Sequence, residues 1–220
     1  MDGFDSAIAR AQESYLGCVT ESYRGMVAAD AKSLGDLLNG EERLLGDSRA
    51  AIRPFAERGI AHAKAAIALR PDDARSHLLL AMNVGMLGLS IGKFEAFTGG
   101  IPSQVIRAYS KALEIDETCD AAGPLQLEGR FRTIVPFPYR NLRRARLSLD
   151  RATTIAPVKQ TLFFLGDAHA RAGDLTAAED AWRRALAAPP HPPAQSVASY
   201  VDLLIERRLE FVSEVASLPR

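Results

Sequence analysis

Seven arginines fall between residues 130 and 151 (Arg130, Arg132, Arg140, Arg143, Arg144, Arg146 and Arg151), against a single acid, Asp150. Guanidinium groups at that density suit recognition of phosphate or carboxylate through paired hydrogen bonds. Without interleaved rings for base stacking, the run reads first as a solvated helix face and argues against a nucleic-acid partner. It is balanced by an acidic N-terminal region, in which residues 1 to 47 hold nine acids and four bases. The same asymmetry would serve self-association into a homo-oligomer, acidic end to basic patch. The remaining reactive residues are scattered. His62, His77, His169 and His191 contain no i, i+4 pair of the kind that holds zinc on a helix, and Cys18 and Cys119 match neither a metal nor a redox spacing. Gly88-Leu-Ser90-Ile-Gly92 has the Gly-x-Ser-x-Gly spacing, but no strand pattern precedes it to make a nucleophile elbow, and no glycine-rich phosphate loop is present. These residues predict a protein that is not an enzyme, with no catalytic residue, no metal and no cofactor.

The elements that must position such groups are all helical. The chain has 220 residues, 47 % apolar and 25 % charged, with net charge zero, as in a globular protein with one substantial core. Phe4, Ile8, Ala11, Tyr15, Cys18, Val19, Ser22 and Met26 recur at three- and four-residue steps and predict a long helix over residues 4 to 30. Leu34, Leu37, Leu38, Leu44 and Leu45 predict a shorter one, bounded by a turn at Gly46-Asp47-Ser48, and a third begins after Pro54. Asp72 or Asp73 caps the next helix, which runs toward Gly88. Residues 90 to 103, with Gly99-Gly100 and Pro102, interrupt the pattern before it resumes at Val105. Pro136-Phe137-Pro138 separates two later helices, Pro189 to Pro193 reads as a stiff extended hinge, and Val197 opens the last helix, whose polar face takes Glu206, Arg207, Arg208 and Glu210. No segment shows the alternation of a strand.

The spacing is most regular over residues 159 to 190, where Leu162, Leu165, Gly166, His169, Ala178, Trp182, Ala185 and Pro190 recur at the intervals of one helix-turn-helix repeat. This segment resembles a tetratricopeptide repeat. Gly166 would let the helices approach, Ala178 is small enough for their crossing, Trp182 would be buried between them, and His169 would pack at the aromatic position. Weaker versions end at Ala66 and Pro71, at Ile115-Asp116-Glu117, and at Ala152 and Pro157. The predicted fold is all-α: degenerate tetratricopeptide-like helical hairpins in a right-handed α-α superhelix or bundle with flanking terminal helices. The expected domain is single, with N-terminal helices over residues 1 to 48, repeats over 49 to 190 and a C-terminal capping helix over 191 to 220. In stacked hairpins the first helices line a concave face, so the repeat register nominates Arg75, Leu78, Met82, Gln126, Arg130, Phe163, Asp167 and Arg171 as a binding groove. The two arginines Arg130 and Arg171 are expected to point into it beside Phe163.

Lys111-Ala-Leu-Glu-Ile-Asp-Glu followed by Ala122-Gly-Pro-Leu-Gln-Leu-Glu-Gly-Arg130, a proline-containing loop and Leu165-Gly166 resembles the T-component family associated with tripartite TRAP transporters, over roughly residues 50 to 190. The resemblance implies hairpins around a cleft or pore, and a role in helping a substrate-binding protein handle small ligands, hydrophobic ones among them. Two functions are therefore expected. The first is a non-catalytic scaffold binding a protein or peptide partner through the groove. The alternative is an accessory protein of TRAP-type transport, with Phe94, Phe97 and Ile101 lining an apolar cavity for a small ligand. The acids near the N-terminus and the lack of a long apolar run predict a cytoplasmic protein as the sequence stands, periplasmic if an export signal precedes it, without membrane insertion.

Overall fold

A computed structural model describes residues 3–29, 31–40, 44 and 46–217, the last three of these for the backbone alone. Leu45 of the expected second helix, and the acids Asp2, Asp30, Glu41 and Glu42, lie outside the described residues. Eleven α-helices and no strand are found among the described residues: α1 (Gly3–Ala28), α2 (Leu34–Leu38), α3 (Gly46–Leu69), α4 (Ala74–Ile91), α5 (Lys93–Thr98), α6 (Ile101–Ile115), α7 (Cys119–Ile134), α8 (Leu142–Ile155), α9 (Lys159–Arg171), α10 (Leu175–Ala187) and α11 (Ala198–Ser217), with a 3-10 turn at Pro192–Val197. They form two compact units, and the boundary between the units falls inside α1 and α7. One unit holds Met1–Ser22 and Leu44–Leu127; the other holds Tyr23–Arg43 and Glu128–Arg220.

In the first unit α4 packs against both α3 and α6. The face of α3 that makes this possible is a stripe of small residues, Ala56, Gly59, Ala63 and Ala66, at steps of three and four. A Cβ added at Gly59 would lie 1.9 Å from Asn83 Oδ1 on α4, so the Asn83 side chain packs directly on the α3 backbone there. Asn83 is buried and donates through Nδ2 to the carbonyls of Leu79 (2.8 Å) and Ala11 (3.3 Å). Phe4, Ile8 and Ala11 of α1 complete this core with Ala63, Ala66 and Leu79. Asp73 caps α4 as expected, accepting from the Ser76 amide at 2.7 Å.

Local details depart from the sequence reading in three places. Gly46-Asp47-Ser48 is the first turn of α3 and not a connecting turn, and α3 runs through Pro54. Asp47 favours a helix N-terminus, and Pro54 near that end, with its ring exposed, forfeits a single hydrogen bond. Pro102 starts α6 rather than breaking a helix, because its missing N–H falls in the first turn. Pro192 and Pro193 likewise open a 3-10 turn in place of an extended hinge.

At the entry to α7, Asp120, Ala121 and Ala122 have φ of 53°, 59° and 61°. Three consecutive side-chain-bearing residues in the left-handed region cost about 1–2 kcal/mol each. The turn is tied at both ends. Thr118 donates its amide (2.8 Å) and hydroxyl (2.7 Å) to Asp116 Oδ1, the Ala122 amide donates to Thr118 O, and Gln126 Nε2 donates to Ala121 O.

The second unit packs α8 on α9, α9 on α10, and α11 on α10, α9 and α2. Between α9 and α10, a Cβ on Gly166 would stand 2.3 Å from the Trp182 ring. Trp182 is fully buried, as its spacing predicts. Gly173, with φ of 86°, closes α9, and Asp174 caps α10 by accepting from the Ala177 amide at 3.0 Å.

Candidate functional site

Helix α9 is covered on almost every side: Lys159 to Phe163, Leu165 to Ala168 and Ala170 are all buried. A charge placed on such a helix must find partners inside the protein. Asp167, fully buried, finds three. Its Oδ2 accepts from Arg130 Nη1 of α7 at 2.8 Å, and its Oδ1 from Arg208 Nε of α11 at 2.8 Å. Arg208 Nη2 reaches Oδ2 at 3.3 Å, and Trp182 Nε1 of α10 reaches Oδ1 at 3.3 Å. Four hydrogen bonds fill the acceptor capacity of a carboxylate.

Aromatic faces flank both guanidinium groups. The Arg208 guanidinium carbon lies 4.7 Å from the Phe163 ring centre, and that of Arg130 lies 4.9 Å from Phe164. The other Arg208 donors go to Leu204 O (2.8 Å) and Leu37 O (3.1 Å), while Arg171 Nη2 donates to Leu38 O (2.6 Å) and Asn39 Oδ1 (2.9 Å). The unsatisfied carbonyls at the C-terminus of the short helix α2 are thus capped by arginines from α9 and α11.

The nominated groove residues separate accordingly. Arg130, Phe163, Asp167 and Arg171 come together in the second unit, but the first three are buried and Arg171 is partly buried on α2. Their expected exposure is not what the structure shows, because α11 closes over α9 through Arg208. Arg75, Leu78, Met82 and Gln126 belong to the first unit. Leu78 and Gln126 are buried there, Gln126 holding the left-handed turn; Arg75 donates to Gln12 Oε1 at 2.9 Å, and Met82 packs against the apolar core.

The glycines and charges of the T-component-like motif are packing residues too. A Cβ on Gly123 would meet Leu78 Cδ2 at 2.6 Å, and one on Gly129 would meet Leu149 Cγ at 2.4 Å. Glu128, buried, accepts from Ser148 Oγ (2.7 Å) and Arg144 Nε (3.0 Å) of α8. Three consecutive residues therefore fix two neighbouring helices: Glu128 and Gly129 seat α8, and Arg130 seats α9.

Arg208 and Lys159 were missed as interior groups. Arg208 was read as part of a polar face, yet it continues the buried line Val197, Val201, Leu204, Ile205, and a cation in that line signals a buried partner. Lys159 is buried at the start of α9, donating to Leu186 O at 3.1 Å and Asp202 Oδ1 at 2.5 Å.

Phe94 (84 % exposed) and Phe97 (49 %) lie three residues apart on α5, and Ile101 is buried against Gly88. The expectation that this insert lines a cavity fails for Phe94, which projects into solvent. Burial pushes both thiols, Cys18 and Cys119, up to about 12, with Asp120, Asp116 and Asp73 adding to the effect at Cys119. Hydrogen bonds from Thr118 hold Asp116 below the usual carboxylate range. Among the described residues no group of three or more His, Cys, Asp or Glu side chains is placed to hold a metal ion, and no helix is long and apolar enough to cross a membrane. No protein-family model matches the chain, and no curated protein is detectably similar to it.

Proposed function

We propose that the chain is a non-catalytic scaffold of degenerate tetratricopeptide-like hairpins that binds a protein or peptide partner. The observation carrying this reading is the contrast between a charged interior in which Asp167 has no acceptor to spare and a helix, α5, that offers two phenylalanines to solvent. Large rings held outward one turn apart on a short helix are suited to fill pockets on a partner. A photo-reactive phenylalanine analogue placed at position 94 tests this in the host cell. A discrete cross-linked polypeptide, lost when Phe97 is changed to Ser, supports the reading. The absence of any cross-linked polypeptide refutes it.

A second reading, an accessory protein of TRAP-type transport, is favoured by the packing at Gly123, Gly129 and Gly166. The glycines that carry the resemblance each set a close helix contact, so a likeness at these positions bears on the hairpin arrangement. Adjacent genes for transporter subunits, and co-purification with the substrate-binding protein among them, would favour it over a general scaffold.

A further inference from the structure

Helix α8 turns Ala145, Ser148, Leu149 and Ala152 inward. Its outer face carries Arg143, Arg144, Leu147, Asp150, Arg151, Thr154 and Ile155, all exposed at a helical period. Just before it, Phe137 is 88 % exposed between Pro136 and Pro138, and Arg140 follows. Leu147 is 58 % exposed and Ile155 37 %. Over residues 136 to 155 the sequence has five arginines and one acid, and the carboxylate of Glu128 lies beneath Arg144. A chain of zero net charge therefore concentrates positive charge, together with three protruding apolar side chains, on one helix face and the loop that leads into it.

We propose that this face docks the chain on an anionic phospholipid surface, with Phe137 and Leu147 entering the headgroup layer and the arginines pairing with lipid phosphates. The occupant follows from the chemistry of the face. Every cation in it is arginine, whose planar fork matches phosphate oxygens two at a time and whose stem lies along apolar surface while the charge stays wet. The apolar groups project from a convex helix and a loop tip. A deformable lipid interface receives such projections without preformed pockets, whereas a protein would need a matching hole for each. The prolines flanking Phe137 restrict the loop before docking, so little freedom is lost when its ring inserts. The helix would lie on the bilayer and not cross it. The inference concerns α8 and is independent of the partner reading at α5.

Co-sedimentation of the intact chain with vesicles tests it. Binding is expected to vesicles of phosphatidylcholine containing phosphatidylglycerol, to be far weaker on phosphatidylcholine alone, and to fall roughly tenfold or more on moving from low to high salt. Phe137→Ser and Arg143→Glu should each weaken binding about tenfold, since binding scales with inserted apolar area and with local charge. Both residues are exposed, so the folded-state emission of buried Trp182 should be unchanged in each variant. Phe137→Trp adds a second readout: vesicles should blue-shift the new emission component, and brominated lipid should quench it. The proposal is overturned if the chain stays in solution with anionic vesicles, if it binds neutral vesicles equally well, or if neither substitution matters. Preferential binding to duplex nucleic acid or polyglutamate at the same salt would also overturn it.

Discussion

Changing Asp167 to Asn keeps the size of the side chain and removes its charge. Two of the four hydrogen bonds it accepts, those on one of its oxygens, would then face an amide that donates. Arg130 and Arg208 would both lose the buried carboxylate they share. Leaving a buried charge uncompensated costs about 3–5 kcal/mol, a large share of the roughly 5–15 kcal/mol that holds a domain folded. Arg208→Met removes one of the two cations and leaves Asp167 paired with Arg130. Its cost comes from the side-chain bonds lost at Leu37 O and Leu204 O, about 1–3 kcal/mol together, and should be the smaller of the two. Urea unfolding followed by the emission of Trp182 measures both, because that single indole donates to the same carboxylate. An Asp167→Asn loss below about 1 kcal/mol, or a larger loss for Arg208→Met, would refute the charge accounting.

Other substitutions probe the contacts separately. Gly166→Ala drives a methyl into the Trp182 ring and should destabilise by about 1–3 kcal/mol with a shifted indole spectrum; wild-type stability would refute the close approach. Arg171→Ala should raise amide exchange in α2 selectively, since Leu38 O and Asn39 lose their donor, and uniform exchange rates across variant and wild type would count against that role. With thiol pKa values of about 12, roughly one molecule in ten thousand carries a thiolate at pH 8, so iodoacetamide should label Cys18 and Cys119 slowly until urea is added. Because those pKa values are raised on folding, the protonated thiols favour the native state below pH 9, and that contribution is lost as pH rises from 9 toward 12. Stability rising across that range would contradict the burial of both thiols.

The helical class and most helix positions were legible because apolar residues recur at 3.6-residue steps, as Ile101, Val105, Ala108, Tyr109 and Ala112 do along α6. The contact between Gly166 and Trp182 was legible for the same reason: both positions sit inside one local repeat. Exposure of the groove residues was not. Register places Arg130, Phe163 and Asp167 on one side of their helices, but only long-range packing reveals that Arg208, 41 residues from Asp167, covers them. The left-handed turn at Asp120 to Ala122 left no trace in residue type, since neither glycine nor asparagine stands there. Arg143 and Phe137 were visible as a charge run and a proline loop; that they share an outward face with Leu147 required the packing of α8.

The second compact unit is assembled from two stretches of chain separated by most of the first, and the bond from Arg208 to Leu37 spans 171 residues. During synthesis at about 5–20 residues per second, the carbonyls at the end of α2 would wait on the order of ten to thirty seconds for the arginine that caps them. Residues 44 to 127 emerge and can pack with α1 in that interval, so the first unit has every partner it needs while the second does not. Tyr23 to Leu38 is therefore the stretch most exposed to proteases and chaperones in the nascent chain, and release of α11 would return the finished protein to the same vulnerable condition. Contacts of such long sequence separation also slow the search for the native state. Helix α11 thus acts as a latch on α2, and the lifetime of the folded second unit should follow the rate at which α11 detaches.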